Sequence, residues 1–103
     1  MKPLTYGKMK YAFTAAIWQH SGTGGWHFVS VPKAISDEIR ANLQSEEEGW
    51  GRMKAVAQIG QSEWPTAIWF DTKHQLCLLP IKAEIRKKEK ITSSQDLQVL
   101  LWV

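Results

Sequence analysis

One cysteine stands in the whole chain, Cys77, so no intramolecular disulfide staples it and the composition does not call for an oxidising compartment. Its neighbours Leu76 and Leu78 predict a thiol buried in a strand. Long hydrophobic runs are missing. No stretch approaches the ~20 apolar residues of a membrane helix, and the opening Met1-Lys2-Pro3-Leu4 lacks the apolar core of a secretory leader. A soluble cytoplasmic protein with no membrane partner is expected. Histidine is sparse, and His20, His27 and His74 have no metal-ligand spacing, so no metal and no cofactor are expected. No nucleophile elbow is present, and the acids Glu46, Glu47 and Glu48 form a run rather than a held pair. No catalytic residue is therefore assigned, and an enzyme is not expected.

The rest of the composition is that of an ordinary folded domain. At 103 residues, 44% hydrophobic and 22% charged, the chain has the size and residue content of one domain with its own core. Six tryptophans are unusual for this length; each brings a large apolar surface and one N–H that needs an acceptor when buried. The formal net charge is +3, and it is unevenly spread. Lys82, Arg86, Lys87, Lys88 and Lys90 crowd one segment that contains only Glu84 and Glu89 as acids.

Residues 1–8 read as an arm and residues 9–103 as a single domain. Residues 9–19 alternate Tyr11, Phe13, Ala15 and Ile17 with smaller or polar neighbours, the period of two of a half-buried strand. The glycine-rich residues 20–25 predict a turn, and residues 26–31 a second strand. Pro32 suits the first turn of a helix over residues 33–44, whose Ile35, Ile39 and Leu43 form one stripe. An acidic loop follows over residues 45–51. Further strands are expected over residues 52–59, 63–70, 75–79 and 97–103. Pro65 marks an edge or bulge in the fourth, because it cannot donate to a ladder. Trp64 and Trp69, five apart, face opposite sides. Pro80 is expected to open a second short helix carrying Ile85 and Arg86.

A strand–proline–helix segment thus occurs twice, Trp26 to Arg40 and Leu76 to Arg86. The repetition predicts two similar halves around one core, with Ile39 matching Ile85 and Arg40 matching Arg86. The fold expected is mainly β: a small mixed barrel of about six strands with two short helices.

Phe13-x-Ala15, Trp26-x-Phe28-Val29-x-Val31-Pro32, Trp64-x-Thr66-x-Ile68 and Leu79-Pro80-Ile81-Lys82-x-Glu84-Ile85-Arg86-Lys87 recur in this order in a bacterial family, the domain of unknown function numbered nineteen-oh-five. The chain resembles that family over about residues 9–102. The resemblance implies a fold similar to the double-split barrel of the AbrB and MazE regulators, with both halves in one chain. Relatives carry Gly-Asp before the last strand, where this chain has Ser94-Gln95-Asp96. The family has no established activity.

Two sets of candidate residues follow. Trp26, Trp64 and Arg86 form a candidate ligand site, in which the Arg86 guanidinium takes a carboxylate or phosphate. The competing reading ties Arg86 to Asp96 or to a strand carbonyl and makes it structural. Lys82, Lys87, Lys88 and Lys90 form a candidate anion or nucleic-acid patch. The function expected is a non-catalytic binding module for a small ligand or a protein partner, as a monomer or weak homodimer. The alternative is an AbrB-like nucleic-acid-binding protein using residues 82–90, with weak, non-specific binding expected.

Overall fold

A computed structural model of the chain describes residue 7 and residues 9–20, 25–43, 52–92 and 94–103. Most of the expected arm, the tip of the first turn, the acidic loop with Glu46 to Glu48, and Trp50 lie outside the described residues. The elements run β1 Lys10–Gln19, β2 His27–Ser30, α1 Lys33–Leu43, β3 Arg52–Ile59, β4 Ser62–Asp71, β5 Leu76–Pro80, α2 Ala83–Lys88 and β6 Asp96–Trp102. The six strands close into an antiparallel barrel in the order β1-β2-β5-β4-β3-β6. This is the mainly-β architecture with two short helices that the alternation predicts.

Period-two patterning decides which side chains enter the barrel. Ile17 from β1, Val29 from β2, Met53 and Ala57 from β3, Trp64 and Ile68 from β4, Cys77 and Leu79 from β5, and Val99 and Leu101 from β6 fill one core. Cys77 is fully buried. Trp64 points inward, while Trp69 on the same strand is half-exposed on the outer face. Gly60, at φ 59, turns β3 into β4 so tightly that Ile59 and Ser62 sit directly opposite.

The chain is two β-β-α-β halves, and they interleave. β3 of the first half pairs with β4 of the second, and β6 of the second pairs with β1 of the first. At the centre β2 lies antiparallel to β5, with Val29 opposite Leu79. The hydrogen bonds there repeat about a two-fold axis. The Val31 N–H donates to Cys77 O at 2.9 Å and the Ile81 N–H to His27 O at 2.9 Å. The Ser36 amide reaches Pro32 O at 2.8 Å and the Arg86 amide reaches Lys82 O at 3.1 Å.

These paired bonds correct the register of the repeat. Val31 corresponds to Ile81, Ile35 to Ile85 and Ser36 to Arg86, so Ile39 and Arg40 are not the counterparts of Ile85 and Arg86. The prolines cause the misreading. Pro32 stands immediately before α1, whereas Pro80 is the last residue of β5, opposite Phe28, and α2 begins only at Ala83. Proline ends a strand ladder in both places, but it opens a helix in only one. Ile39 and Ile85 both reach the core all the same. Arg40 lies over the ring of Phe70, 4.0 Å from its centroid.

The α2 helix stops in a way its sequence does not advertise. Its last turn is closed by Ile91 N–H to Arg86 O at 2.9 Å and Lys90 N–H to Lys87 O at 3.3 Å, with Lys90 at φ 52. This is the Schellman arrangement, with lysine where glycine is usual. Ser94 takes a left-handed conformation as well, at φ 62, in the turn before β6.

Candidate functional site

The barrel is split along two seams, one where β1 leaves β2 upstream of Ile17 and one where β4 leaves β5 upstream of Trp69, and the second holds the candidate residues. β4 pairs with β3 over its whole length, Arg52↔Trp69 through Ile59↔Ser62. It pairs with β5 only at Trp69↔Leu78, Phe70↔Cys77 and Asp71↔Leu76. Upstream of Trp69, β4 therefore has one strand partner, and Pro65 lies in that stretch. The edge position expected for Pro65 is met locally, inside a closed barrel. Pro80 ends the facing strand, and neither proline has an N–H to bridge the gap. The seam opens into a cleft of about 340 Å³ whose wall includes Trp26, His27, Trp64, Thr66, Lys82 and Arg86.

The structure thus brings the three candidate ligand residues, Trp26, Trp64 and Arg86, to one cleft. Trp64 is 4% exposed and forms its inner wall. Trp26 is 52% exposed at its mouth. The Trp26 ring stacks on Phe28 at 6.1 Å and 11° and meets Trp69 edge-on at 6.0 Å, so it is held by neighbours. His27 turns to the opposite side of its strand from Phe28. Its Nδ1 is buried with no hydrogen-bond partner among the described residues.

Arg86 is half-buried, and its Nε donates to the Ile81 carbonyl at 3.2 Å. Of the two partners weighed for a structural Arg86, a carbonyl beside the strand is present and Asp96 is not; Asp96 is exposed at the start of β6. No ion pair joins Arg86 or Lys82 to a carboxylate among the described residues. The Ile81 contact fixes the guanidinium by one edge and leaves the terminal nitrogens for another acceptor.

Lys82 lines the cleft, while Lys87, Lys88 and Lys90 are exposed and do not. One of the two acids within this segment, Glu89, is engaged elsewhere. Ser62 Oγ donates to Glu89 Oε2 at 2.6 Å and the Gln61 amide reaches Glu89 Oε1 at 3.4 Å. Glu89 therefore braces α2 against the β3–β4 turn.

A second surface went unassigned in the sequence. Trp18, Phe28, Trp69 and Leu78 share the outer face of the barrel with Trp26, around a groove of about 670 Å³. The strand alternation carries the signal, since Trp18 follows the inward Ile17 and Phe28 precedes the inward Val29. At its rim His74 Nδ1 lies 2.6 Å from Asp71 Oδ2. That hydrogen bond holds the Asp71 carboxyl below its ordinary range. Among the described residues, no three His, Cys, Asp or Glu side chains gather as a metal site, and no helix is long and apolar enough to cross a membrane.

The family model described as a domain of unknown function (DUF1905) matches residues 13–101. No curated protein matches the chain.

Proposed function

We propose, from the premise that the chain belongs to the family of domains of unknown function DUF1905, that this barrel is a non-catalytic binding module whose cleft holds a small ligand bearing a carboxylate or phosphate. The observation that carries the reading is Arg86, anchored through Nε and without a carboxylate partner among the described residues, at the wall of a cleft flanked by two indoles. A guanidinium held by one edge is ready to grip an oxyanion with the other. Lys82 adds positive charge, and the buried His27 Nδ1 offers a further polar contact. Trp26 and Trp64 supply apolar flanks, and about 340 Å³ lies within the ~300–1,000 Å³ range of small-molecule sites.

The test is an NMR titration of labelled protein with benzoate, phenyl phosphate and the uncharged benzyl alcohol. Both anions should move the indole signals of Trp26 and Trp64, the alcohol should not, and Arg86→Gln should remove the response while keeping a dispersed spectrum. Equal responses to the alcohol and the anions, or none to any probe, would overturn the reading.

A second reading is AbrB-like contact with duplex nucleic acid through α2. It is supported by the exposed Lys82, Lys87, Lys88 and Lys90, by the diversion of Glu89 to Ser62, and by the interleaving of the two halves. It predicts weak, sequence-independent binding, ~10⁻⁴–10⁻⁶ M at physiological salt, that falls steeply as salt is added. Lys87→Glu/Lys88→Glu should abolish it in an anisotropy titration. Unchanged affinity in that variant would sink this reading.

A further inference from the structure

We infer that the outer face of β1, β2, β5 and β4 is a stacking surface for single-stranded nucleic acid, separate from the cleft and bordering it at Trp26. The strand registers build the surface. Trp18 lies opposite Phe28, and Trp69 lies opposite both Leu78 and Arg52. The two rows join where Phe28 and Trp69 meet edge-on at 6.0 Å. Trp18 and Phe28 are 5.2 Å apart, and Trp18 Nε1 donates to Ser30 Oγ at 3.0 Å, which fixes the indole on the sheet. Trp26 and Trp18 are the large hydrophobic side chains left exposed among the described residues, at 52% and 36%, and both are here.

Positive charge flanks the rings. A second groove of about 620 Å³ runs from Trp26 and Trp69 past Arg52 and Lys54, and Lys73 borders the first. Arg52, Lys54 and Lys73 have no ion pair among the described residues, and the acid of this face, Asp71, is taken by His74. A bare apolar patch would fit many partners. Fixed rings with flanking unpaired cations fit a polyanion whose own flat faces are available. Single strands expose those faces, and duplexes hide them in the stack. Lys87, Lys88 and Lys90 line neither groove, so the surface does not depend on those lysines of the helix.

The experiment is fluorescence anisotropy of a labelled oligo(dT) of ~12 nucleotides, within the range of one small-barrel site, against a duplex of equal length, at low and physiological salt. The single strand should bind at least tenfold more tightly than the duplex. Trp26→Ala and Trp18→Ala, both at exposed positions, should each weaken binding by about fivefold or more. Arg52→Gln/Lys54→Gln should flatten the logarithmic salt dependence by about 1.4, two phosphate contacts on a single strand. Equal affinity for the duplex, or wild-type affinity in both tryptophan variants, would overturn the inference. So would loss of binding in Lys87→Glu/Lys88→Glu alone, which places the contact on α2. Absence of binding at low salt, with a sedimenting dimer that Trp26→Ala dissociates, would assign the face to a second copy of the chain instead. Trp26 lines the cleft as well, so Trp18→Ala, whose ring lies outside it, separates this face from the cleft that the Arg86→Gln titration reads.

Discussion

Ser36→Ala tests whether the two halves are joined as the hydrogen bonds indicate. Ser36 is fully buried. Its Oγ donates to Val31 O at 2.9 Å and accepts from the Cys77 amide at 3.0 Å. One hydroxyl thus satisfies two backbone groups at the end of the β2–β5 ladder, one from each half. Alanine would leave a carbonyl and an amide facing a methyl group where water does not enter. Each such group costs about 1–3 kcal/mol, the carbonyl toward the lower end. The better helix propensity of alanine returns about 0.5 kcal/mol. The net expectation is a loss of about 2–4 kcal/mol, or roughly 10–25 °C in Tm for a domain of this size. Urea and thermal unfolding followed by tryptophan fluorescence and circular dichroism would measure it. Ser36→Thr keeps the hydroxyl and should recover more than half of the loss. A loss below about 0.5 kcal/mol in Ser36→Ala would refute the reasoning, because the bridge would then contribute nothing that the barrel cannot replace.

Three further outcomes are expected. Lys90→Gly should be more stable than Lys90→Ala by about 0.5–1 kcal/mol, since relief of the left-handed backbone at φ 52 exceeds the added freedom of the unfolded chain; equal stabilities in urea would refute the Schellman reading. Gly60→Ala should cost about 2–3 kcal/mol by the same measurement, because φ is 59 and the new Cβ would overlap the Glu89 carboxylate and displace it from Ser62; a near-neutral result would show that Glu89 does not brace the turn. The Tyr11 phenol, which donates to Glu38 Oε1 at 2.9 Å, is raised from 10.0 to about 12 by desolvation, then by the hydrogen bond and charge of Glu38. Its folded pKa lies above the unfolded value, so its contribution to stability is intact below pH 10 and is lost as pH rises toward 12. An ultraviolet titration should show one late tyrosine that moves to lower pH in Glu38→Gln; an unmoved midpoint would remove Glu38 as a cause.

Alternation and turn chemistry, read locally, located the strands to within a residue or two, because each depends on neighbours in the chain. Tyr11 to Ile17 and Met53 to Ile59 face inward as their period of two requires. The opposite facing of Trp64 and Trp69 follows from their odd spacing. The partial edge at Pro65 follows from its missing N–H. The repeat was legible as well, but its register was not. Proline marks the end of a strand, and how far beyond it a helix starts is set by what the next carbonyls and amides meet across the barrel. Ser36 and Arg86 became equivalent only when β2 met β5.

The same division holds for the candidate sites. Trp26, Trp64 and Arg86 could be nominated from residue type alone, because an indole offers a flat apolar face and a guanidinium grips oxyanions, although both also serve structural roles in a small barrel. That they line one cleft, while Lys87, Lys88 and Lys90 do not, depends on the seam where β5 leaves β4. The same is true of Glu89, whose charge is spent on Ser62 twenty-seven residues away. Sequence by itself determined the strands, their inward faces and the family, because these rest on short-range periodicity and ordered motifs. Only the tertiary structure decided which aromatic rings share a surface and which charges are left without a partner, because both depend on strand pairings between residues far apart in the chain.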